Sequence, residues 1–129
     1  MAIRNPTLTL GGALALGLLL QPVLPAGAEE RMWVAIDDLQ RRTCPSTECG
    51  VVGRFFFQES VIVFEEEDEW SRVSRYHSAG CYEGVSAFVE EGNPECSADN
   101  GIRGGEFAEW VQSKFLAAEP PERAVETHG

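Results

Sequence analysis

The first 28 residues are predicted to take no part in the fold, because they have the features of a signal peptide. Arg4 gives a short positive segment, and residues 8–20 form an uncharged run that is too short to span a membrane comfortably. Ala26-Gly27-Ala28 then supplies the small residues that a signal peptidase requires. Cleavage there leaves residues 29–129 to fold as a periplasmic or secreted protein. An uncleaved membrane anchor is the alternative.

All four cysteines, at positions 44, 49, 81 and 96, lie in the remaining part of the chain. An even number of cysteines in a small exported chain predicts disulfide bonds that support a limited core. Four cysteines allow three pairings, which the sequence alone does not distinguish. Proximity in the chain favours Cys44–Cys49 and Cys81–Cys96. A zinc site is the weaker interpretation, because no two cysteines have the Cys-x₂-Cys spacing.

The chain is strongly acidic. It has 10 Lys and Arg residues against 21 Asp and Glu, and loss of Arg4 with the signal peptide leaves nine basic residues and a net charge of −12. Such a surface repels phosphate backbones and anionic lipids, so we expect no nucleic acid partner and no membrane binding after cleavage. The same charge favours a soluble monomer. Basic proteins, amino-sugar polymers and cations are compatible partners.

Short apolar runs separated by turns predict an all-β fold of antiparallel strands. Residues 31–42 suit a lead-in strand, and three further strands are predicted at 51–57, 60–66 and 70–76. Gln58 and Glu59 form a short turn, and the acidic run 65–69 is expected at an exposed hairpin tip. The tight turns between the last three strands predict an antiparallel meander.

Residues 77–105 differ from this pattern. They contain six glycines, Asn93-Pro94 and two of the cysteines, with no sustained period, and they predict a disulfide-stapled insertion with one short strand at 85–89. Residues 107–116 predict a last strand that runs into a 3₁₀ or helical turn. The folded domain is therefore predicted at 29–118, followed by a disordered polar tail at 119–129.

Short motifs follow one another in a specific order: Leu39-Gln40-Arg41-Arg42, Pro45-Ser46-Thr47, Val51-Val52-Gly53-Arg54-Phe55, Val61 with Val63, Trp70 with Val73, and Glu109-Trp110-Val111 ending in Phe115-Leu116. Together they resemble the bacterial SH3-like (SH3b) domain over residues 39–75 and 105–117. The resemblance implies a small SH3-like barrel of about five antiparallel strands. It also implies binding without catalysis, since such domains leave catalysis to attached enzymatic domains.

Three residues depart from the SH3b pattern. Arg41 stands where an inward apolar residue is usual, Gln58 replaces a turn glycine, and Glu109 replaces the glycine before Trp110. The insertion 77–105 has no counterpart in the minimal domain. Loops of this kind build the ligand groove, so the resemblance does not define a groove in this chain.

Catalysis and metal binding have little support in the sequence. Nucleophilic catalysis needs a nucleophile and an oriented base, and only His77, at the start of the insertion, and His128, in the tail, are histidines. Calcium is the metal alternative, at the run 65–69 or in the insertion; Asn100, however, stands at the glycine position of an EF-hand count. The oxygen atoms considered in the insertion belong to Glu95, Ser97, Asp99 and Glu106. We expect no catalytic residue, no metal and no cofactor.

Aromatic residues are the better candidates for ligand binding, because the chain has more of them than a small barrel can bury. The SH3b resemblance selects Trp70 and Trp110 first, and Tyr76 and Tyr82 complete the predicted site. The sequence thus predicts an exported binding module of the bacterial cell envelope that docks peptidoglycan or a partner protein. The alternative is a structural or inhibitory envelope protein that acts through its acidic surface.

Overall fold

The computed structural model describes residues 29–123, and within them the fold is all-β. The predicted signal peptide and residues 124–129 of the predicted tail lie outside this part. No helix among the described residues has the length and apolar character needed to cross a membrane. The strands are β1 Glu30–Val34, β2 Leu39–Arg42, β3 Val51–Phe55, β4 Ser60–Val63, β5 Glu65–Glu67, β6 Trp70–Arg72, β7 His77–Ser78, β8 Cys81–Tyr82, β9 Val85–Ser86, β10 Glu106–Phe107, β11 Trp110–Gln112 and β12 Leu116–Ala117.

The main element is a five-stranded antiparallel sheet with the order β3-β2-β11-β6-β5. Its central strand β11 comes from the end of the domain and pairs through Trp110 with Arg42 on one side and Arg72 on the other. The central strand of the sheet is therefore supplied by the part of the chain that follows the insertion. Motifs that are far apart in the sequence become neighbours in it.

A second sheet has the order β12-β1-β4 and is continuous with the first at two corners. At one corner β4 leads into β5 through Phe64, whose backbone N–H donates to the carbonyl of Arg72. At the other, the 3₁₀ turn Ser113–Phe115 joins β11 to β12. The main core draws on both sheets: Val34, Ile36, Leu39, Val61, Val63, Val73 and Val111.

The strand pairing corrects the predicted meander. β3 pairs with β2, and β4 pairs with β1, so the strands on either side of the Gln58–Glu59 turn are not neighbours. The reason lies in the turn, where the N–H of Gln58 donates to the carbonyl of Val34 and the N–H of Val34 donates to Glu59. The turn is thereby attached to the end of β1, and the chain leaves it alongside β1. The β5–β6 hairpin forms as expected, with Asp68 and Glu69 at its tip.

The insertion has its own small core and both disulfide bonds have the favoured pairing. Cys44–Cys49 and Cys81–Cys96 join Cα atoms 5.6 Å and 6.2 Å apart. β7, at the start of the insertion, pairs with β10, which directly follows the insertion, and β8 pairs with β9 within it. More strand is therefore present than the single predicted one at 85–89. Ala79, Ile102 and Phe107 form the second core, against which Val52 and Cys96 pack.

The predicted fold class is confirmed at the coarse level. The described residues are all-β, carry two disulfide bonds and have a 3₁₀ turn near the C-terminal end. The number of strands is larger than the five expected, because they divide into four sheets of which two lie in the insertion. Part of the predicted tail is attached to the domain, since Gln58 Nε2 donates to the carbonyl of Pro121 at 2.8 Å.

Candidate ligand-binding groove

A groove of ≈ 360 Å³ crosses the five-stranded sheet and is closed on its other side by the insertion. The sheet side contributes residues from the end of β2, from β11 and from β5. The insertion contributes the chain around Ala98–Gly101 and the turn between Arg103 and Glu106. Two of the four predicted ligand-binding residues, Tyr76 and Trp110, line this groove together.

Trp110 lies at the base of the groove and is only 5 % exposed. Its position on the central strand fixes its backbone between Arg42 and Arg72. Most of the indole is therefore packing area, and only its edge reaches the groove. Little of the Trp110 side chain is therefore accessible for the contact that the sequence predicted.

Tyr76 is the exposed aromatic wall of the groove, with 56 % of its surface accessible. The guanidinium carbon of Arg72 lies 5.1 Å from the centroid of its ring. Arg72 is itself held by the carboxylate of Glu65, at 2.8 Å, and by the carbonyl of Ser74. The ring thus packs on a fixed cation and still presents surface to a ligand.

Asn100 holds the insertion side of the groove against the sheet. Its buried carboxamide oxygen accepts from the hydroxyl of Thr43 at 3.0 Å and from the N–H of Gly50 at 2.9 Å. Its nitrogen donates to the carbonyls of Asn93 and Glu95, both at 2.9 Å. All four hydrogen-bonding positions of the side chain are used, which is how a fully buried amide becomes favourable.

Gly101, next to Asn100, is required by the close approach of the two sides. Its φ is +76°, and a Cβ atom there would overlap the carbonyl oxygen of Thr43. On the sheet side, Arg42 donates to the carbonyls of Thr47 and Cys49 and fixes the first disulfide loop, which supplies Pro45 to the groove. Burial lowers the pKa of this guanidinium from its usual value. Both sides of the groove are therefore held by hydrogen bonds, and those that Asn100 accepts from Thr43 and Gly50 are buried.

Charged residues lie along the rim. Glu67 on β5 and Glu106 on β10 face the groove from the sheet and from the insertion, and Arg103 is the one cation among its lining residues. None of these three side chains forms a salt bridge with another residue of the described part. The groove combines an apolar base, one aromatic wall and a rim with a net negative charge.

The other two predicted ligand-binding residues lie elsewhere. Trp70 borders a smaller pocket of ≈ 130 Å³ together with Arg54, whose pKa is raised by hydrogen bonds to Asp38 and then Glu91. Tyr82 is 73 % exposed on β8, where it is paired with Val85 across the short hairpin. The predicted set of four aromatic residues is therefore not one site in the structure.

No Ser, Thr or Cys side chain of residues 29–123 is hydrogen-bonded to His77. Its Nε2 lies 3.1 Å from Oε2 of Glu109, and its Nδ1 lies 3.2 Å from the carbonyl of Ser78. Its ring packs on Phe107, with 4.5 Å between the centroids. Within residues 29–123, no group of three or more His, Cys, Asp or Glu side chains is arranged to hold a metal ion. These contacts give His77 a packing role beside the groove.

Sequence reasoning missed Asn100, Glu67 and Glu106 as parts of one site. The sequence indicated Glu106 only as a possible calcium ligand and Asn100 only as a residue that breaks the EF-hand pattern. Glu67 belonged to an acidic run that was interpreted as a hairpin tip or a calcium site. Glu67 and Glu106 are far apart in the sequence and line one groove because β11, which follows β10, returns to the main sheet after the insertion. The glycine at 101, directly after an asparagine in a loop, was the one local signal of a close approach.

Comparison of the chain with protein-family models, with curated proteins and with solved structures found no significant match.

Proposed function

We propose that this chain is an exported, non-catalytic binding module of the bacterial cell envelope, and that its ligand docks in the groove lined by Tyr76 and Trp110. The observation that carries the proposal is a preformed groove whose two sides are fixed by buried hydrogen bonds and which presents an exposed tyrosine. Ligand sites are commonly preformed concave surfaces with an apolar lining and a few polar groups. Peptidoglycan and an envelope protein are the two ligands that the proposal covers.

We also propose that the domain is a small SH3-like barrel, as the resemblance in the sequence implies. The strand order supports this. The hairpin β2–β3, the hairpin β5–β6 and the returning strand β11 lie in one sheet, while β1 pairs with β4 and β12 in the other. The two sheets share the bent segment β4–β5 and the corner at Ser113–Phe115, and they enclose one core. Such shared corners are how a small antiparallel barrel is built from few strands.

Export is supported by the disulfide bonds as well as by the predicted signal peptide. Both bonds are formed, and none of the four cysteines is free. Structural disulfides persist in oxidising compartments such as the periplasm and the extracellular space. The proposed location is therefore periplasmic or secreted.

The test compares binding of the purified exported protein to cell-wall sacculi and to solubilised envelope proteins. Tyr76→Ala is expected to reduce binding to one of these fractions at least about tenfold, since it removes the exposed aromatic wall. Tyr82→Ala is the control, because it removes a tyrosine outside the groove that is more exposed than Tyr76, at 73 % against 56 %. Equal binding of all three proteins, or loss with Tyr82→Ala alone, would exclude the groove as the ligand site.

A further inference from the structure

The charges of the groove identify the chemistry of its ligand, on the condition that the proposed function is correct. Glu67 and Glu106 approach from opposite sides, and neither carboxylate is paired with a cation of the described part. Asp68 and Glu69, which follow Glu67 at the tip of the β5–β6 hairpin, are also exposed. With Arg103 included, the three charged lining residues still carry a net negative charge. A cationic group is the natural complement of this end of the groove.

The size of the groove argues for an extended chain and against a single small cation. The lining residues extend from the end of β2 past β11 to β5, which is three strand spacings in the order β2-β11-β6-β5. At about 4.8 Å per spacing this is about 14 Å, the length of roughly four residues of extended peptide. The apolar base at Pro45, Ala108 and Trp110 suits apolar side chains of such a peptide.

Tyr76 adds a second element of recognition for a basic side chain. Its ring already packs on the guanidinium of Arg72 and remains 56 % exposed. A lysine or arginine of a ligand can therefore lie against the ring and reach for Glu67, which lines the same groove. A guanidinium suits this position best because it stacks on aromatic rings and binds carboxylates through two donors.

We infer that the groove binds an extended, basic segment of a partner protein, with an arginine or lysine held between Tyr76, Glu67 and Glu106 and apolar residues on the base around Trp110. The net charge of −12 expected after signal cleavage, nine basic against 21 acidic residues, attracts such a segment from a distance. It also opposes the carboxylates of peptidoglycan stem peptides. The inference therefore selects the protein ligand of the two that the proposed function covers.

The probe is a fluorescently labelled hexapeptide in which arginine and valine alternate, and binding is measured by anisotropy at 150 mM NaCl. Substitution of both groove carboxylates, Glu67→Gln with Glu106→Gln, is expected to raise the Kd about tenfold or more, because two charge-assisted hydrogen bonds are lost. The control is Glu83→Gln with Glu90→Gln, which removes the same charge at exposed positions outside the groove. Circular dichroism verifies that both variants fold.

Three results overturn the inference: no binding of the peptide, equal weakening in both double variants, or equally tight binding of a glutamate–valine peptide. The second result would mean that the whole negative surface attracts the probe without a defined site. If the peptide fails while sacculi are bound in a manner that depends on Tyr76, the proposed function stands and only the basic protein ligand is excluded. If Tyr76→Ala changes binding to neither envelope fraction, the proposed function fails as well.

Discussion

At the scale of single residues, Asn100 connects two segments of the chain through four hydrogen bonds of one side chain. One carboxamide connects the β2–β3 hairpin, through Thr43 and Gly50, to two carbonyls of the insertion. The side chain is completely buried, so water cannot replace any of these partners. Such a residue positions two chain segments relative to one another, and here the groove lies where those segments meet.

Asn100→Asp is expected to lower the free energy of unfolding by about 2–3 kcal/mol or more at neutral pH. The new oxygen would face the carbonyls of Asn93 and Glu95 in place of a donor, and the carboxylate would be buried. Urea unfolding followed by tryptophan fluorescence measures the change. Asn93→Ala is the control, since the side chain of Asn93 accepts one hydrogen bond near the surface. A loss below that of Asn93→Ala would show that the buried network is not needed.

Gln58 shows how a departure from the SH3b pattern is accommodated. Its φ is +73°, the left-handed conformation for which the family pattern has glycine. Gln58→Gly is expected to be more stable than Gln58→Ala by about 1 kcal/mol, because both variants lose the hydrogen bond to Pro121 and only alanine keeps the strained backbone. Thermal unfolding of the two variants measures the difference. Equal stabilities would mean that the turn relaxes around a Cβ atom.

The two other departures compensate one another. Arg41 lies opposite Gly53 in the β2–β3 register, and the missing side chain of that glycine leaves room for the guanidinium. The guanidinium lies 4.8 Å from the ring centroid of Phe55 and 3.4 Å from the carboxylate of Glu109. An arginine at an apolar position and a glutamate at a glycine position therefore form one ion pair. The reason for each residue becomes apparent only when Arg41 and Glu109 are considered together.

At the scale of elements, the two disulfide bonds differ in the length of chain that they close. Cys81–Cys96 closes 15 residues of the insertion, and Cys44–Cys49 closes five. In the chain-entropy description, breaking Cys81–Cys96 lowers the stability by about 3 kcal/mol, and breaking Cys44–Cys49 lowers it by about 2 kcal/mol. The longer loop also carries β8 and β9, and Cys96 at its end packs against the second core.

Replacement of both Cys81 and Cys96 by serine is expected to lower the stability by about 3 kcal/mol. Hydrogen exchange should show lost protection first in residues 80–96, because the bond closes this segment, while the backbone amides of β1 and β4, which pair in the other sheet, stay protected. Replacement of Cys44 and Cys49 is the comparison, and its loss of protection should centre on residues 43–50. Uniform loss of protection across the domain in both variants would contradict separate roles for the two bonds.

The strands with clear alternation were predictable from sequence, and the pairing between distant strands was not. Strands at 51–55, 60–63 and 70–72 lie within the predicted ranges, as does the final 3₁₀ turn. The position of β4 beside β1 depends on backbone hydrogen bonds of the turn at Gln58, which leave no pattern in the side chains. The two-residue strands of the insertion are too short to show the alternation of apolar and polar residues by which strands are recognised in a sequence.

The candidate site was predictable only in part for a similar reason. Exposed aromatic residues can be identified as a class, and Tyr76 and Trp110 belong to the groove. Burial of Trp110 and separation of Trp70 and Tyr82 from the groove follow from strand register and from the fold of the insertion. The two groove carboxylates could not be paired in advance, because nothing local connects Glu67 with Glu106.

At the scale of the whole molecule, the chain has two cores that share one sheet. The main core lies between the two sheets, and the second core lies between the insertion and Val52 on β3. The chain passes from the second core into the main sheet over residues 107–110, which include Phe107, Glu109 and Trp110. Contacts of His77 with Glu109 and of Glu109 with Arg41 continue this connection. The groove is thus bordered by two parts of the domain that these contacts connect.

Net charge acts on the whole molecule, and its effect on stability has a sign that can be tested. Salt weakens both the attraction in the ion pairs of the described residues, such as Arg54 with Asp38, and the repulsion among 21 carboxylates. Exposed pairs contribute little each, whereas repulsion at a net charge of −12 adds over many groups, so the repulsion is the larger effect.

Raising NaCl from 10 to 300 mM is therefore expected to raise the Tm by about 4–8 °C, which corresponds to about 1 kcal/mol in a domain of this size. In the variant Glu66→Gln with Asp68→Asn, which loses two charges of the acidic hairpin, the Tm at low salt should be higher and the rise with salt smaller. A Tm that falls with salt would mean that specific ion pairs outweigh the repulsion, and the acidic surface would then be part of what stabilises the fold.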